Sequence, residues 1–230
     1  MVAVKKPVGN VTRGTTNPNR LRRVDRYIAA LPVIRRNDRP VVVDLGFGAS
    51  PITAVELLSR LVKVNPNTHV VGIEIERERV ERGLAVATEQ LHFTHGGFET
   101  PLPTDLAEKA QVIRAFNVLR QYAESELAEA WSRMQSRLTD DGTLIEGTCD
   151  EIGRLSTWIT LDKDGPLSLT ISMRLSALVR FRCSRSSSVL RGRPRARRGA
   201  SGVAVSSDGR FMATNHSSPC YFQQAHALQK

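Results

Sequence analysis

Long hydrophobic runs are missing from this 230-residue chain. No stretch approaches the roughly 18 apolar residues that a membrane-spanning helix needs. The opening residues, MVAVKKPVGN, lack the apolar core of a secretory signal. Cysteine is scarce: Cys149, Cys183 and Cys220 are odd in number and far apart. They offer neither metal-ligand spacing nor a disulfide framework, so the expectation is a reducing cytoplasm, with no metal and no membrane contact. Aromatic residues make up only 5% of the chain. Acidic residues are almost absent from its last part. Residues 1–164 hold 22 Lys and Arg against 22 Asp and Glu, whereas residues 165–230 hold 11 against the single acid Asp208. The formal charge of +10 therefore belongs to the last 66 residues. A basic pI normally points towards nucleic acid, but here it describes only the tail.

Within that frame, apolar runs alternate with amphipathic stretches. Residues 19–31 read as a helix, with Leu21, Val24, Ile28 and Leu31 on one face and arginines on the other. Residues 39–46, RPVVVDLG, form a short apolar run typical of a strand covered on both faces. Ser50-Pro51 then opens a helix as N-cap and first-turn proline, with Ile52, Val55, Leu58 and Val62 as its buried stripe. Strands are expected at 69–76, 91–98, 110–119 and 142–149, and helices at 77–91 and 124–138. LSTWITLD and LSLTISMRL, joined by KDGP, read as a β-hairpin. The pattern predicts an α/β fold: a mostly parallel Rossmann-like sheet flanked by helices, with an antiparallel hairpin at its edge. Residues 1–38 form an arm and helix, 39–175 the main domain, and 176–230 a basic tail without periodicity.

The stretch VVVDLGFGAS, residues 41–50, carries the functional signal. In an open parallel sheet, ligands bind beyond the carboxyl ends of the strands, near the reversal of strand order. A Gly-x-Gly turn at Gly46 and Gly48 lets backbone approach a ligand, and the helix that follows offers free amides. A plain tight turn is the simpler reading. Glu74 ends the second strand 26 residues after Gly48, where a carboxylate accepts hydrogen bonds from both ribose hydroxyls. Glu76 competes for that role.

Asp-x-Gly-x-Gly after the first strand, with an acid ending the second, resembles the class I S-adenosylmethionine-dependent methyltransferases. Nicotinamide and flavin enzymes instead favour Gly-x-Gly-x-x-Gly, and here Pro51 occupies the third glycine position. The resemblance covers residues 39–175 and implies a seven-stranded sheet with S-adenosylmethionine as cofactor. It implies that Gly46 and Gly48 face the methionine part, that Asp44 holds its ammonium group, and that Glu74 holds the ribose. Ser50 replaces a frequent third glycine, and the acid usual after the third strand is absent. HGGFE, residues 95–99, stands there instead, with Gly97 and Phe98 as adenine contacts and Glu99 as an acceptor, or Phe98 simply in the core.

The resemblance places the acceptor beyond the fourth strand, at RAFNVLRQY, residues 114–122. Asn117 and Tyr122 are candidate catalytic residues there, without the Pro-Pro-aromatic sequence of adenine and glutamine methylases. Arg114 and Arg120 either fix an acidic substrate or sit as solvated charges at the sheet edge. Glu146 reads as a base or as an ion-pair partner of an arginine. His92 and His95 read as structural. Residues 13–23 are placed as a lid or a solvated arm. The acceptor is a small molecule or RNA. The rival readings are an NAD(P)-dependent oxidoreductase and a non-catalytic Rossmann-like nucleic-acid-binding protein. Residues 180–202 offer eight arginines for non-specific phosphate contact. The abrupt loss of acids and periodicity there is also what a shifted reading frame in GC-rich DNA produces.

Overall fold

The structure is a computed structural model that describes residues 7–14, 16–174, 202–206 and 210–215. Its elements are α1 (Arg22–Ala30), α2 (Pro32–Arg36), β1 (Val41–Leu45), α3 (Ile52–Leu61), β2 (His69–Glu74), α4 (Arg77–Leu84) and β3 (Leu91–His95). They continue as β4 (Ala110–Phe116), a 3₁₀ turn (Leu119–Gln121), α5 (Glu124–Gln135), β5 (Leu138–Cys149), β6 (Ser156–Asp162) and β7 (Gly165–Arg174). The last two are β8 (Gly202–Ser206) and β9 (Arg210–Asn215). The sheet order is β3-β2-β1-β4-β5-β6-β7-β9-β8. Strands β1 to β5 run parallel. Strands β6 and β7 follow β5 as an antiparallel meander, in agreement with the expected hairpin.

Period-two alternation divides the core between two faces. Val42, Val70 and Val112 join α1 and α3 in one cluster. Val41, Val43, Val71 and Ile113 join α5 in the other. Every residue of β1 is buried, as expected for a strand covered on both sides. Full burial of each such aliphatic side chain contributes about 1.5–3 kcal/mol. Because β2 and β4 flank β1, the strand order reverses at β1, and a crevice opens beyond its carboxyl end.

Several elements depart from the sequence expectation. The buried stripe of α3 is Thr53, Ala54, Leu57 and Leu61, one position away from the expected one. Both stripes contain apolar residues; the observed one buries Ala54, Leu57 and Leu61 fully and lets the Thr53 hydroxyl donate to Asp44 Oδ2 at 2.7 Å. Pro51 rather than Ser50 precedes α3, without a side-chain cap. Helix α4 ends at Leu84, so Ala87 and Leu91 leave the expected helical face. A Cβ at Gly83 would lie 2.5 Å from the Phe93 ring, so glycine allows α4 to rest on β3. Arg20 and Arg23, expected on the solvent side of α1, are buried. Arg20 Nε donates to the Asp150 carbonyl at 3.0 Å, and Arg23 Nε to that of Gly153 at 2.9 Å. Within the expected irregular tail, β8 and β9 extend the sheet beyond β7; its remaining residues lie outside those described.

Candidate functional site

The loop after β1 is built on two left-handed glycines, with φ of 71° at Gly46 and 87° at Gly48. Gly46 N–H donates to the Ile73 carbonyl at 2.8 Å, which turns the chain tightly over β2. A Cβ at Gly48 would stand 2.7 Å from Thr16 Oγ1 and 3.1 Å from the Gly14 carbonyl. Positive φ and close backbone approach together select glycine here.

Glu74 is buried at the end of β2, and its carboxylate closes the loop. Oε2 accepts from the Gly48 amide and Oε1 from the Ile75 amide, both at 2.9 Å. Arg79 approaches Glu74 to 3.6 Å. Glu76, the competing acid, pairs with Arg79 Nε at 2.6 Å at the start of α4.

Asp44 is buried beneath the same loop, and both of its oxygens are engaged. Arg114 Nε donates to Oδ1 at 3.0 Å, and Arg114 Nη2 lies 2.7 Å from Oδ2. Arg114 also binds Asp25 of α1, whose second oxygen meets Arg60 at 2.9 Å. Arg114 is fully buried on a central strand, so it is neither an edge charge nor a substrate ligand. Burial works against its charge, but Asp44 and Asp25 outweigh that effect and hold its pKa above the ordinary value. Burial pushes the Asp25 carboxyl up to about 6 against the pull of Arg114 and Arg60.

An arm runs across the crevice. Val8 N–H donates to Glu99 Oε2 at 3.0 Å, and Phe98 N–H donates to the Val8 carbonyl at 2.9 Å. Asn10 N–H donates to the Tyr122 hydroxyl. Arg79 Nη2 donates to the Thr12 carbonyl, and Ala49 N–H to the Gly14 carbonyl, both at 3.0 Å. The covering segment thus begins at Val8, ahead of the expected residues 13–23. A Cβ at Gly97 would fall 2.0 Å from the Val8 carbonyl oxygen. Phe98 is buried edge-on to Tyr122, with centroids 5.3 Å apart. Glu99 fastens the arm and also accepts from Gly97 N–H at 2.9 Å.

Two small cavities remain below the arm. One, of about 40 Å³, is lined by Arg13, Arg20, Asp44, Gly48, Asn117 and Arg120 among others. The second, of about 20 Å³, touches Gly46, Glu74, Gly97, Phe98 and Tyr122. The structure therefore gathers Asp44, Gly46, Gly48, Glu74, Gly97, Phe98, Asn117 and Tyr122 at one end of the sheet. Asn117 adopts φ of 60°, and its Oδ1 accepts from Thr148 Oγ1 at 2.8 Å and from Cys149 N–H at 3.1 Å. With the oxygen spent, the amide offers the cavity N–H groups. That is opposite to what holding an amine requires.

Glu146 lines neither cavity. It is buried on the sheet face that carries Leu144 and Ile159. No hydrogen bond or ion pair reaches it among the described residues, so it is not an arginine's partner; burial pushes its pKa up to about 8. His92 meets His69 Nδ1 at 3.2 Å, and His95 meets the Ile75 carbonyl at 2.9 Å. Sequence reasoning missed Val8, Asn10, Thr53 and the pairing of Arg114 with Asp44. Their partners lie 9 to 112 positions away, and no local pattern marks them.

No family model matches the chain, and no curated protein does. Among solved structures, it is similar to the complex of the Haloferax volcanii Trm112 methyltransferase activator with a methyltransferase. The match has 21% identity, a TM-score of 0.42, and covers 56% of this chain and 52% of the other. Human N-acetylserotonin methyltransferase in complex with SAM matches at 22% identity and TM-score 0.40, covering 56% of this chain and 35% of the other. The DhpI-SAM-HEP complex matches at 13% identity and TM-score 0.40, over 90% of this chain and 78% of the other. The chain thus spans about half or less of the length of the first two. Among the described residues, no helix is long and apolar enough to cross a membrane.

Proposed function

We propose that this chain is an S-adenosylmethionine-dependent methyltransferase. One observation carries the reading: the Gly48 amide rests 2.9 Å from Glu74 Oε2 at the reversal of strand order. Two motifs separated by 26 residues thereby become one site, on the loop and strand end where a ribose and an amino-acid moiety bind. The residues suit that cofactor. A carboxylate has about four acceptor positions. Glu74 uses two of them on backbone amides, which leaves two for ribose hydroxyls. Gly46 and Gly48 admit the methionine part, and Asp44 supplies negative charge near its ammonium. Gly97 and Phe98 flank the adenine side, where the arm now lies. When bound, the cofactor supplies an electrophilic methyl on a sulfonium. The chain's own residues orient it and exclude water.

Calorimetric titration of the full-length protein with S-adenosylmethionine and, separately, with NAD tests the proposal. Binding of S-adenosylmethionine alone is expected. Binding of NAD alone overturns the assignment, and binding of neither favours a non-catalytic protein. We propose a cytoplasmic setting, following the cysteine usage.

A further inference from the structure

We propose that the acceptor entering this site carries an oxyanion, a carboxylate or phosphate group, held by Arg13 and Arg120. This inference rests on the methyltransferase reading and names the substrate class that the site takes.

Charge balance in the larger cavity carries it. Its wall contains Arg13, Arg20 and Arg120 against a single acid, Asp44. The charge of Asp44 is already paired from below, where Arg114 meets both of its oxygens and Thr53 shares one. Arg20 is buried and donates to the Asp150 and Cys149 carbonyls. Arg13 and Arg120 differ from it: both are exposed, and neither has a hydrogen bond or ion pair among the described residues. They also stand on separate elements. Arg13 lies on the covering arm, beside Thr12 and Gly14, which are tied to Arg79 and Ala49. Arg120 lies in the 3₁₀ turn after β4. Two uncommitted guanidinium groups thus face one cavity from separately anchored backbone.

Asn117 adds a third donor. Its oxygen is consumed by Thr148 and Cys149, and one amide hydrogen reaches Cys149 Sγ at 3.4 Å, which leaves the other uncommitted. The uncommitted side-chain nitrogens of the cavity are therefore all donors. A guanidinium fork matches the geometry of a carboxylate or phosphate and cannot be deprotonated. A cationic amine would meet two unpaired like charges, with the one acid of the wall already paired to Arg114.

The test uses the full-length protein saturated with S-adenosylhomocysteine and four ring probes of similar size: benzoate, phenyl phosphate, benzyl alcohol and benzylamine. Saturation-transfer NMR and titration read their binding. Benzoate or phenyl phosphate is expected to bind at least about tenfold more tightly than the other two, and the stronger of the pair identifies the oxyanion. The double variant Arg13→Gln, Arg120→Gln is expected to lose that preference while retaining S-adenosylhomocysteine affinity within about twofold. Both positions are exposed, so the fold tolerates these substitutions. Equal binding of benzylamine or benzyl alcohol overturns the proposal, as does absence of binding by both anions. Loss of S-adenosylhomocysteine affinity in the variant with anion binding unchanged also overturns it, because the arginines then serve the cofactor. Failure of S-adenosylhomocysteine to bind the unaltered protein sinks the methyltransferase reading alone. The same anion titrations without it still decide whether Arg13 and Arg120 hold an oxyanion.

Discussion

Glu74 holds the glycine loop through two backbone amides, and in the proposed function its remaining lone pairs meet the ribose. Glu74→Ala is expected to weaken S-adenosylmethionine binding by about 1.5–3 kcal/mol, the usual loss for hydrogen bonds to a charged group. Calorimetry on the folded variant checks this; unchanged affinity would remove Glu74 from the site. Glu146 makes a different demand, because nothing compensates its buried charge. Its folded pKa of about 8 lies above its ordinary 4.5, so its contribution to stability is greatest below 4.5 and is lost as pH rises towards 8. Between pH 6.5 and 8.5, ionisation of Glu146 is expected to cost about 2 kcal/mol, and Glu146→Gln to abolish that decline. Asp25, His69 and His92 are common to both proteins, so the difference between the two curves isolates the effect of Glu146. Urea denaturation across the window decides it, and parallel curves for the two proteins would refute the assignment. At this scale, the acids next to the glycines were legible because a strand-end acid and a glycine turn leave a local pattern. The partner of Asp44 was not, since Arg114 lies 70 positions along the chain and reads there as one more surface charge.

Strands β1 and β2 were legible as short apolar runs covered on both faces, and α5 as a helix with one buried face. The orientation of α3 was not, because two apolar stripes competed and the contacts of the buried one, including Thr53 with Asp44, leave no local pattern. The arm was legible as polar chain and nothing more. Its path depends on Glu99, Tyr122 and Arg79, which come from three separate elements. Removing one tie should be visible at the tied amide. Tyr122→Phe is expected to speed hydrogen exchange of the Asn10 amide at least about tenfold, since a lost hydrogen bond of about 1.4 kcal/mol corresponds to that factor. Exchange at Val8, which is fastened by Glu99, should change less. Mass spectrometry with fragmentation measures both, and an unchanged Asn10 rate would mean that the arm is fixed elsewhere.

Over the whole molecule, charge is unevenly distributed along the chain. Residues 180–230 contain ten Lys and Arg against one acid. Deleting them is expected to leave S-adenosylmethionine binding intact, because the glycine loop, Glu74 and the arm all lie upstream. Any RNA retention by the full chain should fall steeply with salt and vanish on truncation. Filter binding at several salt concentrations, together with calorimetry, compares the two forms. Loss of methyl transfer to one defined RNA, with cofactor binding preserved, would instead make the tail a substrate arm. The deletion also removes β8 and β9 and leaves β7 as a sheet edge, a known liability for association. That pair of strands was illegible in the sequence, because the flanking composition carries no strand period.

The triad of Asp25, Arg114 and Asp44 has an implication for sequence divergence. Each member is buried and bound to another, so losing one strands a charge at a cost of about 3–5 kcal/mol. Such positions do not drift singly. In relatives of this chain, a neutral residue at the place of Arg114 should coincide with loss of the acid at the place of Asp44, whose one cationic partner among the described residues is Arg114. Asp25 keeps Arg60 and should outlast that exchange. A lineage that crosses this valley must change two distant codons together, so β1 and β4 are expected to change as a matched pair.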